Sequence, residues 1–260
     1  MKEKYRAKAE AFARLLEIMD TLREQCPWDR KQTFQSLRNL TIEETYELAD
    51  ALLEENMEDI KEELGDLMLH LVFYARIAEE KGAFDVADLI HRECEKLIRR
   101  HPHIYGDWEA DDEEQVKKNW EQLKLKEGKR SVLQGVPDSL PALVKAQRMQ
   151  EKAAQTGFDW NDAKAVWDKV KEEMQEFYEA TQAKTFAERQ KKMEEEFGDL
   201  LFSLVNYARF MKIEPETALA RTNAKFKKRF EYIESQAPEG GLQDMSLEEM
   251  EALWQKAKKL

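Results

Sequence analysis

The chain has 260 residues, 37% of them charged and 42% hydrophobic, with nine glycines, six prolines and a formal net charge of −12. That acidic balance excludes general nucleic-acid binding, which needs a basic surface, and two cysteines are too few for a disulfide framework, so a reducing cytoplasm is expected. No apolar run approaches membrane-spanning length, and the opening MKEKYRAKAEAFA lacks a signal-peptide core.

Scarce Gly and Pro beside abundant Glu, Lys, Leu and Ala predict long helices. Residues 3–24 place Phe12, Leu15, Leu16, Met19 and Leu22 at helical spacing. Cys26-Pro27-Trp28-Asp29 ends that helix, because Pro27 disfavours helix at the residue before it. A polar stretch from Arg30 to Asn39 leads to Thr41, which with Glu44 reads as a capping box for a helix from Ile42 to about Glu55. Asn56-Met57-Glu58-Asp59 turns the chain. A helix from about Ile60 to Lys81 follows, stopped by Gly82. Further helices are expected over about Val86–Arg100 and around Val116, Trp120 and Leu123. Residues 128–141, GKRSVLQGVPDSLP, are the clear break in composition and read as a linker between domains at 1–127 and 142–260.

The second half repeats the first. Residues 62–78 and 195–211 agree at ten of seventeen positions without a gap. Arg92, Lys96 and Arg100 match Arg221, Lys225 and Arg229 in spacing, and Trp120 with Lys124 matches Trp254 with Lys258. The fold class expected is all-α, as two homologous helical bundles.

Within each half two acidic motifs recur. Glu43-Glu44-Thr45-Tyr46-Glu47 precedes Glu63-Leu64-Gly65-Asp66, and Glu172-Glu173-Met174-Gln175-Glu176 precedes Glu196-Phe197-Gly198-Asp199. Residues three apart share a helix face. If the two helices pack antiparallel, Glu44, Glu47, Glu63 and Asp66 meet in one place, as do Glu173, Glu176, Glu196 and Asp199. Four like charges repel and take up protons unless a cation lies between them, and an all-oxygen donor set suits Mg²⁺. Lys169 and Lys192 stand one turn before Glu173 and Glu196. Acidic ligands ringed by cations are what a polyphosphate requires. Each element has a plainer reading: a solvated acidic face, Lys225 and Arg229 in i,i+4 pairs with Glu, Trp254 as core beside Leu253 and Met250 rather than a base platform. Leu200, Leu201, Leu204 and Val205 read as core, and His70, with Ser203 in its place in the second half, reads as structural.

On these residues the chain resembles the MazG family of nucleoside triphosphate pyrophosphohydrolases. The shared features are the Glu-Glu-x-x-Glu and Glu-x-x-Asp elements in both halves, Cys26-Pro27-Trp28-Asp29, Arg99-Arg100-His101-Pro102-His103, Gly157-Phe158-Asp159-Trp160, and Asn223-x-Lys225-Phe226-x-x-Arg229-Phe230. The resemblance implies an all-α, usually dimeric enzyme that uses Mg²⁺, with Mn²⁺ as an alternative, to cleave a nucleoside triphosphate to monophosphate and pyrophosphate. It implies metal ligation by Glu173, Glu176, Glu196 and Asp199, nucleotide contacts from Lys169, Lys192, Asn223, Lys225, Arg229 and Trp254, and Glu172 as a base. The C-terminal half is expected to do most of the hydrolysis, because Leu40 and Asp59 stand in the first half where the second has Lys169 and Lys192, and Cys94 stands where Asn223 does. Two other classes fit an acidic bundle: a di-iron carboxylate protein, which the lack of a Glu-x-x-His motif disfavours, and a non-catalytic helical interaction module.

Overall fold

A computed structural model describes residues 2–108, 116, 131–182 and 185–259. Among them every regular element is helical. The helix expected around Trp120 and Leu123, with its Trp120–Lys124 pair, and residues 128–130 of the expected linker lie outside the described residues. The chain divides into two compact units, Met1–Val116 and Lys117–Leu260. The first holds α1 (Arg6–Gln25), α2 (Phe34–Glu54), α3 (Met57–Glu80), α4 (Val86–Arg100) and the short α5 (Pro102–Tyr105). The second holds α6 (Ala142–Ala154), α7 (Ala163–Ala180), α8 (Phe186–Phe210), α9 (Pro215–Ser235) and α10 (Leu247–Ala257). The turn Val132–Gly135 packs with α6 in the second unit.

Each unit is built on a helical hairpin whose turn chemistry is local. Glu55 takes a left-handed φ of 57° and ends α2, and Asn56 starts α3 by accepting from the Glu58 N–H at 3.1 Å. With only two residues between them, α3 must run back antiparallel along α2. In the second unit Thr185 caps α8 by accepting from the Glu188 N–H, and α8 packs along α7. After α3, Gly82 sits at φ +64°, and its N–H donates to Glu79 O at 2.8 Å, closing the helix as its sequence position implies.

Two expectations need correction. Helix α2 begins at Phe34, not Ile42. Its capping box is Thr33 with Ser36, in which the Thr33 hydroxyl accepts from the Ser36 N–H at 3.1 Å and the Ser36 hydroxyl from the Thr33 N–H at 2.8 Å. Thr41 is inside the helix, donating to Leu37 O at 3.0 Å and lying 2.6 Å from the Tyr74 hydroxyl of α3. The polar stretch is helical because Phe34, Leu37 and Leu40 supply an apolar face to the core that composition alone did not reveal. Helix α8 packs against α7 and α6, and Val205 is buried while Leu201 and Leu204 stay partly open to solvent.

The core of the first unit gathers Met19 of α1, Leu37 of α2 and Val72, Phe73 and Ile77 of α3, with Phe12, Leu15 and Leu16 packed against them. Arg23 ties this unit together at its edge. Its guanidinium donates to Glu80 at 3.0 and 2.6 Å, to Gln32 O at 3.3 Å, and to Asp29 O in the loop after α1. The bond from Arg23 holds the Glu80 carboxyl below the usual carboxylate range. A folded-state pKa below the unfolded one means the stabilisation is present above the unfolded carboxylate pKa and lost as pH falls through the folded value. Glu80→Gln should therefore cost about 1–2 kcal/mol at neutral pH, the lower part of the range for a charged hydrogen bond since Glu80 is partly exposed. Urea titrations of both proteins should show the gap closing as pH falls below about 4.

Candidate active site

The antiparallel hairpins bring the acidic motifs together. In the second unit Glu173 of α7 and Glu196 and Asp199 of α8 place carboxylate oxygens within 4.8 Å of one another. In the first unit Glu44 and Glu47 of α2 and Glu63 of α3 do the same. The fourth member of each expected set adjoins its group. Burial and then the charges of Glu173 and Glu196 raise the Glu176 carboxyl above its usual range, and Asp66 acts on both Glu44 and Glu63. No histidine belongs to either group among the described residues. His70, one turn after Asp66, is buried in α3, and burial depresses its basicity.

The two clusters differ electrostatically. Burial, then contact with Glu47 and the charges of Asp66 and Glu63, pushes Glu44 up to about 7. Glu63 is raised as well, by burial and then by Glu47 and Asp66. The neighbours that raise both groups are themselves acidic. In the second unit the Lys169 ammonium sits 2.8 Å from Glu172 and 2.8 Å from Glu173, and those two bonds hold its pKa above the ordinary lysine value. Glu173 is only 6% exposed, so this ion pair lies in a partly desolvated setting, where both the Coulomb attraction and the desolvation cost exceed those of a surface pair. The i−4 position read from the sequence thus delivers its charge onto the carboxylates themselves.

The other expected contacts are placed less centrally. Lys192 is exposed on α8. Asn223 and Lys225 are exposed on α9, and among the described residues neither Lys225 nor Arg229 enters an ion pair, so the plainer i,i+4 reading of these cations does not hold. Arg229 instead lies over the indole of Trp254 at 5.5 Å, and Phe226 packs on the same indole at 5.4 Å. Trp254, half-buried, joins α10 to α9 through these contacts. In the first unit Lys96 of the matching triplet is paired with Glu93.

One feature of this unit was not anticipated. The Gly157–Trp160 loop, noted only as a motif, is latched to α8. Asp159 accepts from both terminal nitrogens of Arg209, at 3.0 and 2.5 Å. Gln150 of α6 is buried and donates to Phe202 O at 2.8 Å. The signal that could have found it is in the repeat: residue 206 is Asn where the aligned position 73 is Phe.

A carboxylate cluster repeated in both halves of a helical chain, with an ammonium on the rim of the second, agrees with what known proteins show. The model of the MazG nucleotide pyrophosphohydrolase domain matches residues 32–105 and again 161–233. The nucleoside triphosphate pyrophosphohydrolase of Escherichia coli K12 is 44% identical over 256 residues, covering 95% of this chain and 96% of that protein. The nucleoside triphosphate pyrophosphohydrolase/pyrophosphatase MazG of Thermotoga maritima is 44% identical over 254 residues and 95% of each chain. YabN of Bacillus subtilis, an uncharacterised protein, is 49% identical over 238 residues, 90% of this chain and 48% of its own length. With both hairpins inside the matched segments and near full-length identity of this order, the chain belongs to the MazG nucleotide pyrophosphohydrolase family.

Proposed function

We propose that the protein hydrolyses ribo- and deoxyribonucleoside triphosphates to the monophosphate and pyrophosphate in a metal-dependent reaction, as a cytoplasmic housecleaning enzyme of the nucleotide pool, and that the second unit carries most of the activity. The observation that carries this reading is the triad Glu173, Glu196 and Asp199 with oxygens within 4.8 Å, capped by Lys169. The donor set fits a hard divalent ion: it is all carboxylate, and a cation among three such charges this close would relieve their repulsion. Glu173, Glu176, Glu196 and Asp199 would hold Mg²⁺ or Mn²⁺, and Glu44, Glu47, Glu63 and Asp66 a second ion in the first unit. When bound, the metal supplies Lewis-acid polarisation of the phosphoryl oxygens.

The remaining steps belong to the chain. Lys169, Lys192, Lys225 and Arg229 neutralise the polyphosphate, Asn223 hydrogen-bonds to the substrate, and Trp254 carries Arg229 on its ring. A water oxygen forms the new bond to phosphorus in line with the leaving group, Glu172 accepts the water's proton, and the bridging P–O bond between nucleotide and pyrophosphate breaks. Lys169 is bonded to Glu172 at 2.8 Å, which keeps that carboxylate beside the metal ligands.

A homodimer is part of this proposal. Leu64, Met68 and Leu71 of α3 form an exposed apolar stripe at i, i+4, i+7, and the aligned positions Phe197, Leu201 and Leu204 of α8 form another. A stripe of this kind in both units supports packing against a second copy. Unpaired Cys26 and Cys94 fit a reducing compartment, and no helix among the described residues is long and apolar enough to cross a membrane.

Incubation with each nucleoside triphosphate and Mg²⁺ should release pyrophosphate; EDTA should abolish this and added Mg²⁺ or Mn²⁺ restore it. Orthophosphate as the first product overturns the reading. Light scattering on the same sample should give twice the chain mass.

A further inference from the structure

We infer that the cavity between the Gly157–Trp160 loop and helices α6 and α8 is the nucleobase subsite of the second unit, with Asn206 and Trp160 as its binding residues; this rests on the hydrolase reading above. The cavity has a volume of about 550 Å³, within the range of small-molecule sites. Its walls include Met149, Gln150, Phe158, Trp160, Phe202 and Asn206. Phe158 is 83% and Trp160 45% exposed, although both sit on a loop that the Asp159–Arg209 pair anchors firmly to α8. Rings held open on an anchored support are suited to stacking against a planar heterocycle.

The repeat explains why a cavity exists here. Position 206 aligns with Phe73, which is 2% exposed and belongs to the core of the first unit. Asn at that position gives up a core aromatic and places a polar amide in the wall. Its Oδ1 accepts from Arg209 Nε and Nη2 at 3.1 and 2.9 Å. That fixes the amide orientation and leaves Nδ2 as a donor. Across the wall, Gln150 uses Nε2 on Phe202 O, while its Oε1 is buried without a partner. A buried acceptor left unpaired is costly to the folded protein, and a ligand N–H, met by a small turn of the amide, removes that cost. A donor beside an acceptor complements the edge of every common nucleobase, so this site favours a base over no base and discriminates weakly among bases.

Position along α8 ties the cavity to the carboxylates. Phe202, Asn206 and Arg209 follow Asp199 at i+3, i+7 and i+10, so they continue its helix face. Asn206 lies about 10 Å from Asp199 along the axis, at 1.5 Å per residue. Ribose and α-phosphate span a comparable distance, which puts the base in the cavity when the phosphates are on the metal ligands. The alternative platform, Trp254, already has Arg229 and Phe226 on its ring.

The test uses Asn206→Phe, which restores the residue of the first unit, and Trp160→Ala on the exposed loop. Each should raise KM for all four nucleoside triphosphates by about 10-fold or more, the scale of one lost base stack, with a smaller change in kcat and an unchanged melting temperature. Calorimetry with unphosphorylated nucleosides should show binding to the wild type and none to either variant. If pyrophosphate is released but both variants keep KM within twofold of wild type, the subsite is overturned and the hydrolase reading stands. If no triphosphate is hydrolysed yet nucleosides bind and the variants abolish it, the hydrolase reading fails and the cavity remains a base site. No nucleoside binding by the wild type, without turnover, overturns both. Should Asn206→Phe unfold the unit, Trp160→Ala alone decides.

Discussion

Glu196→Gln with Asp199→Asn should remove nearly all pyrophosphate release, at least about 10³-fold, the scale of losing the main electrostatic stabiliser of a phosphoryl transition state. The corresponding pair in the first unit, Glu63→Gln with Asp66→Asn, should leave most of it. Each unit brings three carboxylates within 4.8 Å of one another, Glu44, Glu47 and Glu63 in the first and Glu173, Glu196 and Asp199 in the second. The two clusters differ in the charge around them. Lys169 binds Glu172 and Glu173 in the second unit, whereas Glu44 in the first is driven to about 7 by burial and its acidic neighbours. Asp59, one turn before Glu63 where the second unit has Lys192 before Glu196, adds to the repulsion of a polyanion. Both double variants should fold, since each removes like-charge repulsion. Turnover rates and melting curves of the two proteins check the expectation together. Greater loss from the first-unit pair would assign hydrolysis to the first unit and discard the lysine argument.

Lys225→Ala and Arg229→Ala should each lower kcat/KM by a factor corresponding to about 2–4 kcal/mol of transition-state stabilisation. Both cations are without ion-pair partners among the described residues. Lys225 is exposed, and its removal should leave stability unchanged. Arg229 also rests on Trp254, and its loss should cost about 0.5–1 kcal/mol of stability through that contact. A double variant that keeps both activity and stability would mark the basic triplet as a solvated face. Steady-state kinetics with denaturant titrations separate the two effects.

How much of this was legible beforehand follows from the range of the interactions concerned. The carboxylate pairs, Lys169 one turn before Glu173 and the basic triplet on α9 depend on i,i+3 and i,i+4 spacing, which any helix imposes. The stop at Gly82 is equally local, whereas the turn expected over Asn56–Asp59 shrinks to Glu55 and Asn56, because Asn56 caps a helix that already starts at Met57. The repeat needed only alignment of the chain with itself. These features were determined by the sequence alone, because their physics acts within a few residues of each other.

The rest was decided between helices. Thr41 with Glu44 satisfies the capping pattern as well as Thr33 with Ser36, and the start of α2 was settled by Phe34, Leu37 and Leu40 packing on α1 and α3. Leu201 and Val205 are both apolar, but only Val205 is buried. The rise of Glu44 to about 7 comes first from burial between packed helices, then from Glu47 on its own helix, and last from Asp66 and Glu63 arriving from another helix. The cavity beside Asn206 depends on a loop some fifty residues earlier in the chain, held by Arg209 to Asp159. Spacing along one helix fixes which groups share a face; which face is buried, and which charges meet across the gap, is set by partners that local sequence does not name.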